Sequence, residues 1–108
     1  MKDNRNIELV NVLNACANAC NYCTTACLGE ADVKMMVDCI KLDIDCAAIC
    51  SLTASFIARA SVHGRHLLKE CAELCDLCAT ECEKHAHMQH CRDCAVACRA
   101  CEKACKAA

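Results

Sequence analysis

Sixteen cysteines stand in a chain of 108 residues, and their spacing is as informative as their number. The first set is Cys16, Cys20, Cys23 and Cys27; the second is Cys39, Cys46 and Cys50. A third set is Cys71, Cys75, Cys78 and Cys82, and a fourth is Cys91, Cys94, Cys98, Cys101 and Cys105. Within each set every interval is three, four or seven residues, the recurrence of one helix face rather than the two-residue alternation of a strand. The C-x-x-C inside Cys71-Ala-Glu-Leu-Cys75-Asp-Leu-Cys78-Ala-Thr-Glu-Cys82 is thus the middle step of a helical ladder.

Thiols at these steps have Cβ atoms about 5–6 Å apart, whereas a relaxed disulfide needs about 3.5–4.5 Å. Thiolates so spaced can turn inward and share a metal ion, within one helix or between facing helices. Zinc takes four ligands in a tetrahedron, usually from knuckles, and sixteen sulfurs would make about four such sites. A continuous stripe gives no reason to stop at groups of four. Iron–sulfur ferredoxins use looped cysteine runs ending in proline, and this chain has no proline. A thioredoxin-type C-x-x-C is one pair beside a βαβ unit, not a ladder. Cu(I) is soft, prefers thiolate, and carries a single charge that replaces one thiol proton. A loaded core then stays near neutral, with a capacity on the order of one ion per thiol, about 16 per chain. Zn²⁺ in a Cys₄ site would instead leave about two negative charges per ion in the interior. The thiols read as ligands for the storage of many Cu(I) ions. A zinc-binding or metal-buffering protein is the alternative, with an iron–sulfur electron carrier behind it. Buried thiols also pack as small hydrophobes, but Ile and Leu would fill an inert core with less risk of oxidation.

The elements that must position these thiols follow from the punctuation. With two glycines and no proline, the breaks fall at Gly29, at Gly64, and in Lys84-His-Ala-His-Met-Gln-His90. Gly29 reads as closing one helix and Asp32 as capping the next. The helices run roughly 5–28, 32–62, 65–84 and 88–106. Short connections make the fold all-α, an antiparallel up-down-up-down four-helix bundle with a cysteine-lined core, residues 1–108 forming one metal-storage domain. Asp43 occupies the four-residue step after Cys39; it reads as a flank residue turned to solvent or paired with Lys or Arg, or else as a polar ligand or proton acceptor at the core's edge. Val33, Val37, Ile40, Ile44 and Ala47 form a second apolar stripe on the same helix. Packing inside the bundle is its expected use, with self-association as the other.

This topology puts the turns near residues 28–32 and 85–90 at one end. Met35, Met36, His85, His87, Met88 and His90 cluster there, softer and intermediate ligands that mark the expected way in for metal. Leu9, Val12, Leu13, Leu52, Phe56, Ile57, Leu67 and Leu68 gather at the other end as a hydrocarbon plug, with His63 and His66 in its turn.

Bulk properties agree. The net charge of −2, with 24% charged residues, points to no nucleic acid and no anionic membrane as partner. No apolar run is long enough to span a bilayer, and the start MKDNRNIELVNV has no apolar export segment. A reduced, cytoplasmic setting is expected, where clustered cysteines mean metal or redox chemistry. No base and nucleophile are paired, so no enzyme is expected.

The ladders CANACNYCTTAC, CIKLDIDCAAIC and CAELCDLCATEC, with the His-rich approach to the fourth in HAHMQHCRDCAVACRACEKAC, together resemble the cytosolic copper storage proteins. The resemblance covers nearly the whole chain. It implies a bundle storing many Cu(I) ions along its axis, bound mainly by cysteine pairs and often in a homotetramer, with a copper donor or acceptor as partner. It further implies that Cys16 through Cys105 are the ligands and that His85, His87 and His90 edge the mouth. Exported relatives carry a signal peptide, and none is expected here from the stretch MKDNRNIELVNV. Met35-Met36 stands where the cytosolic type would have histidine, implying a mouth of mixed thioether and imidazole.

Overall fold

The computed structural model describes residues 4–108 as four helices: α1 (Asn4–Leu28), α2 (Val37–Ala58), α3 (Gly64–Glu83) and α4 (Gln89–Ala107). Met1 to Asp3, part of the opening stretch read for an export signal, lie outside the described residues. Each helix packs its backbone against two neighbours, α1 on α2 and α4, α3 on α2 and α4, while the diagonal pairs meet only through side chains at the axis, as Cys50 of α2 does with Cys101 of α4. That is the expected antiparallel up-down-up-down arrangement. The bundle is a rod of 50 × 19 × 18 Å. Its slimness follows from the seam: Cys and Ala are small, and helix separation is set by the side chains at the contact. Outside the seam, Arg99 of α4 reaches Asp76 and Glu83 of α3 at 2.6 and 2.9 Å, a surface link of modest worth.

The turns differ from their sequence reading. Residues 33–36 wind as a 3-10 helix before α2, and Asp32 makes no side-chain cap. Gly29 does not adopt the left-handed conformation. α2 ends at Ala58, not at residue 62. The stop is a Schellman motif: the Ala60 N–H donates to the Ile57 carbonyl at 3.0 Å and the Ser61 N–H to the Phe56 carbonyl at 2.9 Å. Ala60, not a glycine, takes the left-handed conformation there, with φ 55°. Gly64 serves the approach of α3 to α2, since a Cβ there would lie 2.9 Å from Ile57 Cδ1.

Leu9 and Leu13 are buried at the end that holds the α2–α3 turn and Ala108, and Ile57 and Leu68 pack on that core. Leu52, expected in this plug, is exposed. The apolar stripe of α2 departs further from expectation. Val33, Val37 and Ile44 are 37%, 43% and 52% exposed, while Ala47 is buried and Ile40 partly so. Position 44 follows the inward-facing 43 by one residue, about 100° round the helix, so it turns off the seam. No helix among the described residues is long and apolar enough to cross a membrane.

Candidate metal centre

All sixteen cysteines are free thiols that face the bundle axis, and only Cys105, at 5%, retains any exposure. They form a column in overlapping groups. From the end that carries the 84–90 turn come Cys23, Cys27 and Cys91 with His90, then Cys20, Cys78, Cys94 and Cys98. Cys16, Cys20, Cys46 and Cys98 follow, then Cys16, Cys46, Cys50 and Cys75, then Cys50, Cys71, Cys75 and Cys101. Within each group the ligand atoms lie within 4.8 Å of one another. Consecutive inner groups share members, so sulfur is continuous along the axis. Cross-helix Sγ–Sγ distances include 3.5 Å for Cys50–Cys71, 3.6 Å for Cys39–Cys82 and 3.7 Å for Cys46–Cys75. Steps along one helix are 3.8 Å for Cys23–Cys27 and 4.0 Å for Cys71–Cys75. All are contacts between unbonded sulfurs, far from the ~2.05 Å of a disulfide.

The protons on this column are shared. Burial, then the charge of Cys39, pushes the Cys91 thiol up to about 11 and raises Cys27 as well. Hydrogen bonding with Cys101 and Cys71, then burial, raises Cys105. Interaction with the Cys16 and then the Cys20 thiol holds Cys46 down, and interaction with Cys20 and then Cys23 does the same for Cys94. Bare thiolates in such a place would be costly. A monovalent soft cation that displaces a proton keeps the charge balance.

Of the two readings of Asp43, the solvent-facing flank is corrected and the proton acceptor among the thiols is the one the structure shows. It is wholly buried and its Oδ1 accepts from Cys78 at 3.1 Å and Cys94 at 3.3 Å, with Cys82 at 3.8 Å. Cys39 donates to Oδ2 at 3.8 Å. Four residues after Cys39 and three before Cys46, it stays in the helical register, and register outweighs hydrophilicity. Burial, then the charge of Cys94, raises its carboxyl to about 8.

The six residues expected at the metal entrance share one end but not one environment. His90 Nδ1 lies 3.5, 3.6 and 3.8 Å from the sulfurs of Cys91, Cys23 and Cys27, while Nε2 is 2.8 Å from Glu30 Oε2. His85 is buried against Glu81, 3.2 Å away. His87 is exposed, Met88 half-buried, Met36 buried, and Met35 exposed at the surface. Sequence reasoning missed Glu30; its only signal was a carboxylate in the turn facing the His-rich turn. Thr53, next in the α2 register after Cys50, was also missed, and its buried hydroxyl has no hydrogen-bond partner among the described residues. His63 and His66 lie exposed at the opposite end, their ring centroids 6.1 Å apart.

The family described as copper storage protein, Csp, matches residues 2–108. The chain is 40% identical over 91 residues to the "uncharacterized cysteine-rich protein YhjQ" of Bacillus subtilis (strain 168), covering 84% of this chain and 83% of that protein. The solved "Cu(I)-bound Copper Storage Protein BsCsp3" aligns with a TM-score of 0.91 at 35% identity, covering 95% of this chain and 96% of that one. A "cytosolic copper storage protein from Streptomyces lividans (five coppers)" aligns with a TM-score of 0.92 at 39% identity, over 96% of this chain and 91% of that one.

Proposed function

The chain belongs to the copper storage protein family, and on that premise we propose that it stores many Cu(I) ions along the axis of its bundle. The observation that carries this reading is the continuity of the sulfur column, in which consecutive inner groups of four share cysteines. The cargo is held by Cys16, Cys20, Cys23, Cys27, Cys39, Cys46, Cys50, Cys71, Cys75, Cys78, Cys82, Cys91, Cys94, Cys98, Cys101 and Cys105. Each ion takes the place of a thiol proton, which keeps the filled core near neutral. Soft thiolates in pairs and larger groups suit a soft monovalent ion of low coordination number. Residues 1–108 act as one storage domain, and no catalytic step belongs to this reading.

Copper arrives at the end that carries Met35, Met36, His85, His87, Met88 and His90, where imidazole and thioether precede the thiols. The other end is closed by Leu9, Leu13, Ile57 and Leu68. The reading places the protein in the cytoplasm, where thiols stay reduced, exchanging copper with a donor or acceptor. It acts as a homo-oligomer, a tetramer by its resemblance to the family, and the exposed Val37 and Ile44 support association of copies through α2.

Anaerobic titration of the reduced, metal-free protein with Cu(I), in competition with a chelator, is the test. A capacity on the order of 16 ions per chain is expected. Saturation at about four ions, the limit for Cys₄ sites, would overturn the reading.

A further inference from the structure

His90 has two ring nitrogens with opposite surroundings. Nδ1 faces the sulfurs of Cys91, Cys23 and Cys27 at 3.5, 3.6 and 3.8 Å. Nε2 lies 2.8 Å from Oε2 of Glu30, which stands in the turn after α1, 60 residues away in sequence. The His90 and Glu30 side chains are 12% and 32% exposed, so the pair is shielded but not sealed. An ionised carboxylate only accepts hydrogen bonds, so Nε2 must carry the proton, and a neutral imidazole then keeps its lone pair on Nδ1. The contact with Glu30 therefore fixes which nitrogen the thiols meet. His85 pairs with Glu81 in a similar way, at 3.2 Å, but no thiol among the described residues hydrogen-bonds to its ring. Only the Glu30 pair aims a bare nitrogen at sulfur.

We propose that Glu30 is the positioning residue of the mouth: it holds His90 in the Nε2–H tautomer, so that Nδ1 completes a three-sulfur, one-nitrogen site for Cu(I) with Cys23, Cys27 and Cys91. The ligand atoms of these four residues lie within 4.8 Å of one another. A carboxylate behind a metal-binding imidazole both orients the ring and raises its basicity. Glu30 also ties the α1–α2 connection to the first turn of α4, so the fourth ligand arrives with its orientation already set. The identity of the ion rests on the storage reading above; the tautomer does not.

Two measurements test this on the full chain, comparing wild type with Glu30→Ala and Glu30→Gln. Long-range proton–nitrogen NMR of the reduced, metal-free protein should show His90 protonated on Nε2 alone. Glu30→Ala should redistribute the proton between the two nitrogens, whereas Glu30→Gln, whose amide oxygen still accepts from Nε2–H, should retain the wild-type tautomer. A wild-type ring protonated on Nδ1, or a tautomer unchanged in Glu30→Ala, would overturn the proposal. In chelator competition, Glu30→Ala should weaken the mouth site by about 10–100-fold, leave total capacity unchanged, and be largely rescued in Glu30→Gln. Equal affinity in wild type and Glu30→Ala would also overturn it. A wild-type protein that takes up no Cu(I) would remove the storage reading, and the tautomer spectra would still decide the role of Glu30.

Discussion

Four thiols direct their protons at the oxygens of Asp43, and no water-accessible surface remains on it. Burial, then the electrostatic influence of Cys94, lifts its carboxyl from an ordinary 3.8 to about 8. Between those values the folded chain holds a proton that the unfolded chain has released. The stabilisation is full below about pH 4 and is lost as pH rises towards about 8. The metal-free protein should lose stability by up to ~1.4 kcal/mol per pH unit across that window. Asp43→Asn has no such proton to exchange and should flatten the dependence. Denaturant titrations of the reduced protein between about pH 5 and pH 8 check this; the same slope in both proteins would assign the effect to another group. The cysteines, His90 and the rest of the mouth cluster were legible as residue types in sequence. Glu30 was not, because a loop glutamate becomes significant only through a partner brought from the other side of the bundle.

At the scale of the elements, helix interiors followed the spacing of the cysteines while helix ends followed local backbone geometry. α2 shows why. The break read at Gly64 placed its end near residue 62, yet the chain leaves the helix through Ala60 at φ 55°. A Schellman stop usually carries glycine at this position. The hydrogen bonds of Ala60 and Ser61 to Ile57 and Phe56 make the stop with alanine instead, and no sequence signal marks it. A left-handed alanine costs roughly 1–2 kcal/mol, part of which glycine would return as extra freedom in the unfolded chain. Ala60→Gly should therefore stabilise the metal-free protein by about 1 kcal/mol, measured by urea denaturation, with copper capacity unaffected. A destabilised variant would show that the Ala60 methyl group contributes packing that outweighs the strain.

For the whole molecule, four ladders on a rod only 19 × 18 Å in cross-section leave room for one file of sulfur and little else. Along the sulfur column helices this close have no space for large inward side chains, and the larger apolar residues lie at its ends, as Leu13 and Met36 do, or turn outward. Val33 before α2, and Val37 and Ile44 along it, do so. If copies associate through this face, replacing Val37 and Ile44 together by Lys should shift the protein towards monomer in analytical ultracentrifugation, with its helical circular dichroism retained. A wild-type chain already monomeric at the same concentration would remove the surface from the account. The topology was readable in advance, because three short connections leave antiparallel neighbours as the simple solution. The outward turn of the stripe was not, because a face offset from the seam can meet either a neighbouring helix or solvent.

The sequence by itself determined that the chain is helical, that its thiols share one face of each helix, and that the ladders must face one another. These are consequences of a period, and a period is a local property of the chain. Only the tertiary structure decided that Asp43 sits inside the column, that successive sulfur groups overlap, and that Glu30 meets His90 across the mouth. Those outcomes depend on the rotation, separation and turn geometry of helices distant in sequence. A shift of a few ångströms in packing would undo them without altering any residue.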